Sequence, residues 1–74
     1  MLSPQDIKAR LEVAFAPLRC VVEIWDYEHR LRFKIFGKDG RGLVEMPDII
    51  IRDVSDESQL ASLIAQVRER LPQT

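Results

Sequence analysis

Between Arg30 and Phe36 the sequence alternates without interruption: Leu31, Phe33 and Ile35 fall on one parity, and Arg30, Arg32, Lys34 and Phe36 on the other. Period-2 alternation of this kind specifies a strand with one buried and one uncovered face. A strand with two unlike faces needs hydrogen-bonded neighbours and a layer packed against its apolar side. The neighbours are present. Residues 19–27 form a first strand, with Cys20, Val22 and Ile24 on one face and Val21, Glu23, Trp25 and Tyr27 on the other. A tight connection at Glu28-His29 would join it to a second strand over 30–37. The turn residues Gly37-Lys38-Asp39-Gly40-Arg41-Gly42 supply positive φ at little cost and lead into a third strand over 42–51. Pro47 cannot donate to a ladder, so that third strand belongs at a sheet edge or bends there.

Helices flank the sheet. Ser3, Pro4 and Asp6 read as N-cap, first helical residue and capping-box acid, with Leu2 and Ile7 in the staple positions. Ile7, Leu11, Ala14, Phe15 and Leu18 then recur at helical spacing, predicting a helix over 3–16 that Pro17 stops. Ser55, Asp56 and Glu57 open a second helix over 56–71, with Leu60, Leu63, Ile64, Val67 and Leu71 as its apolar stripe and Arg68 and Arg70 at its negative end, before Pro72. The expectation is an α+β fold of order α-β-β-β-α, a three-stranded antiparallel meander with both helices on one face. The other face meets solvent or a partner.

The chain has 74 residues, about half of a typical domain, and a domain of that size buries only about 60% of its unfolded surface. A second core or a large multi-layer enzyme is excluded. Staples are missing too. Cys20 is the single cysteine and His29 the single histidine, so there is no internal disulfide, and Asp26 and Glu28 are only weak neighbours for a metal at His29. No cofactor is expected. Acidic and basic residues interrupt every apolar run near the start, and no stretch approaches the ~20 apolar residues of a membrane span, so a cytoplasmic protein is expected. Eleven basic against twelve acidic residues give a formal net charge of −1, which supplies no global pull toward nucleic acid or an anionic membrane.

Phe15-Ala16-Pro17-Leu18-Arg19-Cys20 at the first helix-to-strand junction, the Gly40-Arg41-Gly42 turn, and Leu63-Ile64-Ala65-Gln66-Val67-Arg68 in the last helix together resemble a family of short bacterial proteins, domain of unknown function 1652. The resemblance covers nearly the whole chain and implies the fold, without an activity. The chain departs from it at Tyr27-Glu28-His29, where a Pro-Asp-Gly type turn would be expected. That departure leaves the pairing register of the first hairpin open.

The candidate functional residues lie on the uncovered face: Val21, Trp25, Tyr27, Arg30, Arg32, Lys34 and Phe36, with Leu43 close by. Aromatic rings interleaved with cations are how some folds stack bases and hold phosphates. A second account is self-pairing. Closure about Glu28-His29 would set Trp25 opposite Arg32, Glu23 opposite Lys34, Tyr27 opposite Arg30 and Val21 opposite Phe36, with Glu45 on the other side of Lys34, all favourable cross-strand pairs. The element order matches double-stranded RNA-binding domains, but Ser55-Asp56-Glu57-Ser58 would repel phosphate where they need cations. No helix-turn-helix or Gly-x-x-Gly clamp is present.

Catalysis has little to work with. Ser3, Ser55, Ser58 and Ser62 lack an orienting base near them in the pattern, Asp48, Asp53 and Asp56 read as turn and cap residues, and Cys20 reads as a small inward hydrophobe. The leading expectation is a non-enzymatic module for protein–protein contact or homodimerisation through the open sheet face. The alternative is single-stranded nucleic-acid binding through the same residues.

Overall fold

The computed structural model of the chain describes residues 1–71. Its elements are α1 (Pro4–Ala14), β1 (Arg19–Trp25), β2 (Arg30–Phe36), β3 (Gly42–Ile50), a 3-10 turn (Ile51–Val54) and α2 (Glu57–Arg70). The α-β-β-β-α order and the antiparallel sheet β1-β2-β3 are those expected. Pro72, which was expected to follow the end of the last helix, lies outside the described residues.

The capping box forms as read. The Ser3 hydroxyl accepts from the Asp6 N–H at 3.1 Å, and the Asp6 carboxylate accepts from the Ser3 N–H at 3.2 Å. These bonds hold the Asp6 carboxyl below the ordinary carboxylate value, so their contribution to the cap is full above that value and is lost as pH falls through the lowered one. The helix ends at Ala14 rather than residue 16. Phe15 leaves helical geometry at φ −103, ψ 3 ahead of a cis Ala16–Pro17 bond, and its side chain turns into the core. Arg68 on α2 donates to the Ala14 carbonyl at 3.0 Å, satisfying one of the acceptors that every helix end leaves open.

Ile7, Leu11 and Phe15 from the first segment and Leu60 and Val67 from α2 meet Val22, Leu31, Phe33, Ile35, Val44 and Ile49 in one cluster. Phe15 and Phe33 lie with ring centroids 6.1 Å apart. Every strand residue in that cluster is on the same side of the sheet, so both helices cover one face.

The first hairpin departs from the expected closure. β1 stops at Trp25, two residues short of Tyr27, and Asp26, Tyr27, Glu28 and His29 form the loop, closed by the His29 N–H on the Asp26 carbonyl at 2.9 Å. Asp26, Tyr27 and Glu28 have φ of 55, 53 and 67°, all left-handed. The register is therefore Trp25↔Arg30, Glu23↔Arg32, Val21↔Lys34 and Arg19↔Phe36, shifted by two residues. An even shift leaves each side chain on its face and changes only its partner. Left-handed backbone costs a non-glycine residue about 1–2 kcal/mol, and glycine returns part of that gain as unfolded-state entropy. Glu28→Gly is thus expected to raise stability by about 0.5–1 kcal/mol in urea titration, and a loss of stability would refute the loop geometry.

β3 lies at the sheet edge, as Pro47 required. One extra β3 residue sits between the Phe33↔Met46 and Leu31↔Ile49 pairs, and Leu43 bulges between Ile35↔Val44 and Phe36↔Gly42. The strand ends at Ile50 rather than 51. Ile51 and Val54 turn inward in the 3-10 turn, which buries both and brings the Ile51 N–H to the His29 carbonyl at 2.9 Å. The second hairpin turn behaves as read, with Gly40 at φ 84 and the Gly37 N–H donating to the Arg41 carbonyl at 2.8 Å.

Candidate interaction face

The outer face is a grid whose rows follow from the register. Trp25, Arg30 and Ile50 form the row at the first-hairpin end. Glu23 and Arg32 form the next, with Pro47 beyond them in the bulge. Val21, Lys34 and Glu45 follow, and Arg19, Phe36 and Gly42 close the far end.

Each central cation has an acid. The Glu23 carboxylate accepts from Arg32 Nη2 at 2.7 Å and Nε at 3.1 Å, and Lys34 Nζ lies 3.7 Å from Glu45. Arg30 serves two carboxylates, Asp48 at 2.7 Å and Asp26 at 3.4 Å. Those contacts, chiefly Asp48, push the Arg30 guanidinium still further toward its charged form. Exposed pairs of this kind add about 0–1 kcal/mol each, so their main effect is to neutralise the face. Glu45 beside Lys34 is as expected. Glu23 instead meets Arg32 and Trp25 meets Arg30, because the four-residue loop moved the register. Asp48 is a partner of Arg30 rather than a turn or cap residue.

The rings do not gather into one patch. Trp25 carries the Arg30 guanidinium 5.9 Å from its centroid, whereas Phe36 carries Lys34 at 5.4 Å and Arg19 at 5.9 Å. The two rings stand six residues apart along the strands, about 20 Å. Tyr27, expected beside them on the strand, is at the loop tip and 93% exposed. Leu43 packs against the core instead of joining the face. What remains is a shallow groove of about 450 Å³ lined by Arg19, Val21, Glu23, Arg32, Lys34 and Phe36 among others. Of the seven candidates, Val21, Arg32, Lys34 and Phe36 line this groove. Arg30 and Trp25 belong to the end row.

A second hollow, about 610 Å³, lies at that end between Met1, Leu2, Asp26, His29, Arg30 and Ile50. Sequence reading missed it because it depends on the 3-10 turn and on the Leu2 N–H bonding the Ser55 carbonyl at 2.8 Å. Together with the Ile51 N–H on the His29 carbonyl, that bond holds the chain's start near the hairpin loop.

The residues considered for catalysis are scattered. Ser3 caps α1, Ser55 is buried with its hydroxyl donating to the Arg52 carbonyl at 3.1 Å, and Ser58 and Ser62 are exposed on α2. Asp56 stands at the α2 N-cap without a side-chain bond to it. Cys20 faces the core, and burial, helped by the Glu12 carboxylate, pushes its thiol up to about 11. A nucleophile needs the opposite shift. Among the described residues no three His, Cys, Asp or Glu side chains gather as metal ligands, and no helix is long and apolar enough to cross a membrane. Compared with family models, with curated proteins and with solved structures, the chain matches none.

Proposed function

We propose that this chain is a non-enzymatic contact module of the cytoplasm that binds a protein surface through the outer side of its sheet. The single observation that carries the reading is the one-sided layering: both helices pack on the same face, and β1, β2 and β3 leave the other uncovered. Val21 and Phe36 give that face an apolar floor, and alternating paired charges rim it. A mixed, neutralised rim around apolar residues suits a protein partner.

Single-stranded nucleic acid, the alternative, finds some support in the two cations over the Phe36 ring. The pairing of Arg30, Arg32 and Lys34 with carboxylates weighs against it, since phosphates would have to displace those acids. Oligonucleotides at low salt are expected to leave the amide shifts of β1 and β2 unmoved.

The test is affinity capture from native extract with the wild type and with a Trp25→Ser, Tyr27→Ser, Phe36→Ser variant, each shown to be folded by circular dichroism. A protein recovered by the wild type and lost by the variant supports the reading. Equal recovery by both overturns it.

A further inference from the structure

We propose that the partner includes a second copy of this chain, joined through antiparallel pairing of the two β1 strands about Val22 into one six-stranded sheet. This rests on the contact reading above but uses the edge of the sheet rather than its outer face.

The two edges of the sheet are unlike. β3 is interrupted by Pro47, which has no N–H to give, and by two bulges. Such features are how sheet edges are blunted against pairing. β1 has neither: its seven residues pair in unbroken register with β2, and among the described residues its backbone has no partner beyond that ladder. Strand addition needs an edge of this kind.

Charge decides the direction. β1 begins at Arg19, which shares a hollow with Lys38 and Phe36, and ends at Trp25, followed at once by Asp26 and Glu28. Among the described residues Arg19 has no carboxylate partner and rests only on the Phe36 ring. At the other end two carboxylates, Asp26 and Asp48, share Arg30. One end has a cation without an acid, the other an acid in excess. Two-fold antiparallel pairing brings these opposite ends together twice, whereas a parallel arrangement would set like against like.

The register follows from the side chains. A dyad on Val22 keeps all seven residues paired: Arg19 faces Trp25 of the second copy, Cys20 faces Ile24, Val21 faces Glu23, and Val22 faces Val22. Arg30 already occupies one side of the Trp25 ring, and Arg19 of the second copy would take the other, next to Asp26. Half-buried Ile24 would gain an apolar neighbour on the core side. A dyad on Glu23 would oppose two like charges, and one on Val21 would leave Ile24 and Trp25 beyond the partner strand.

Sedimentation equilibrium at micromolar concentration is expected to give twice the 8.6 kDa of one chain. Hydrogen exchange should protect the β1 amides consecutively rather than alternately. Arg19→Glu, at an exposed position, should weaken the dimer about five- to thirtyfold by removing two symmetric cation–ring contacts. In a Cys20→Ala background, the Val21→Cys, Glu23→Cys double variant should oxidise to a covalent dimer, while neither single variant should. A wild type that stays monomeric overturns the proposal, as does cross-linking by a single variant, which would report another register. A strict monomer that still loses its captured partner on Trp25, Tyr27 and Phe36 replacement removes the edge pairing and leaves the outer-face reading standing. A dimer whose capture is unaffected by those replacements does the reverse.

Discussion

Phe33→Ala is expected to leave the chain largely unfolded at 25 °C. Phe33 sits on the central strand, 2% exposed, and its ring is one half of the Phe15 pair that joins the α1 exit to the sheet. Truncating a buried phenylalanine costs about 3–5 kcal/mol, because the apolar transfer energy is lost and a cavity remains. A chain of this length has about 4–11 kcal/mol in total at common per-residue stabilities, and small domains without disulfide or metal sit low in that range. Circular dichroism with urea titration checks it. A variant that keeps a cooperative transition near the wild-type midpoint would show that the core is not centred on Phe33. The same substitution at Phe36, on the outer face, should cost far less.

That contrast was legible in sequence because adjacent parities on one strand specify opposite faces. The β2 alternation placed Leu31, Phe33 and Ile35 inside, and the capping box placed the start of α1 to the residue. These signals are local, with each residue type needed for a reason that does not depend on the rest of the chain. The first hairpin was illegible for the converse reason. Asp26, Tyr27 and Glu28 all adopt left-handed backbone, which of the three only Asp visits with any frequency, so a run of three is imposed by the strands it joins. The 3-10 turn is similar. Ile51 and Val54 turn inward because the core ends there, and their sequence reads equally well as extended chain.

The candidate face divides along the same line. Which residues point outward depended only on parity, and six of the seven proposed residues do so. Which of them touch depended on register, and an even shift re-paired Trp25 with Arg30 and Glu23 with Arg32 while leaving the faces intact. The near-zero net charge, neutral as a global statement, resolves into local pairs along the middle of the face, with Arg19 at one end of β1 lacking a carboxylate partner among the described residues. Neutrality by pairing leaves direction in the charge pattern, and direction is what a self-associating edge requires.

Cys20 carries the second large effect, and it appears only in alkali. Its thiol is pushed up from the ordinary thiol range to about 11 in the folded chain, first by burial and then by the Glu12 carboxylate. The folded state holds this proton more tightly than the unfolded state does. Its stabilising contribution is therefore complete below pH 9 and is lost as pH rises toward 11. Two pH units of displacement correspond to a loss on the order of 2 kcal/mol at the top of that window. Urea titrations at pH 8 and at about pH 11 measure the fall, and the same pair on Cys20→Ala isolates the thiol, since every other alkaline group titrates in both proteins. The wild type should lose more stability than Cys20→Ala across that interval. Parallel loss in the two proteins would mean that Cys20 ionises freely in the folded chain. Thiol reagents give an independent reading: at pH 8 labelling should be slow in the native protein and fast in urea, because the thiolate that reacts forms readily only once the strand has left the core.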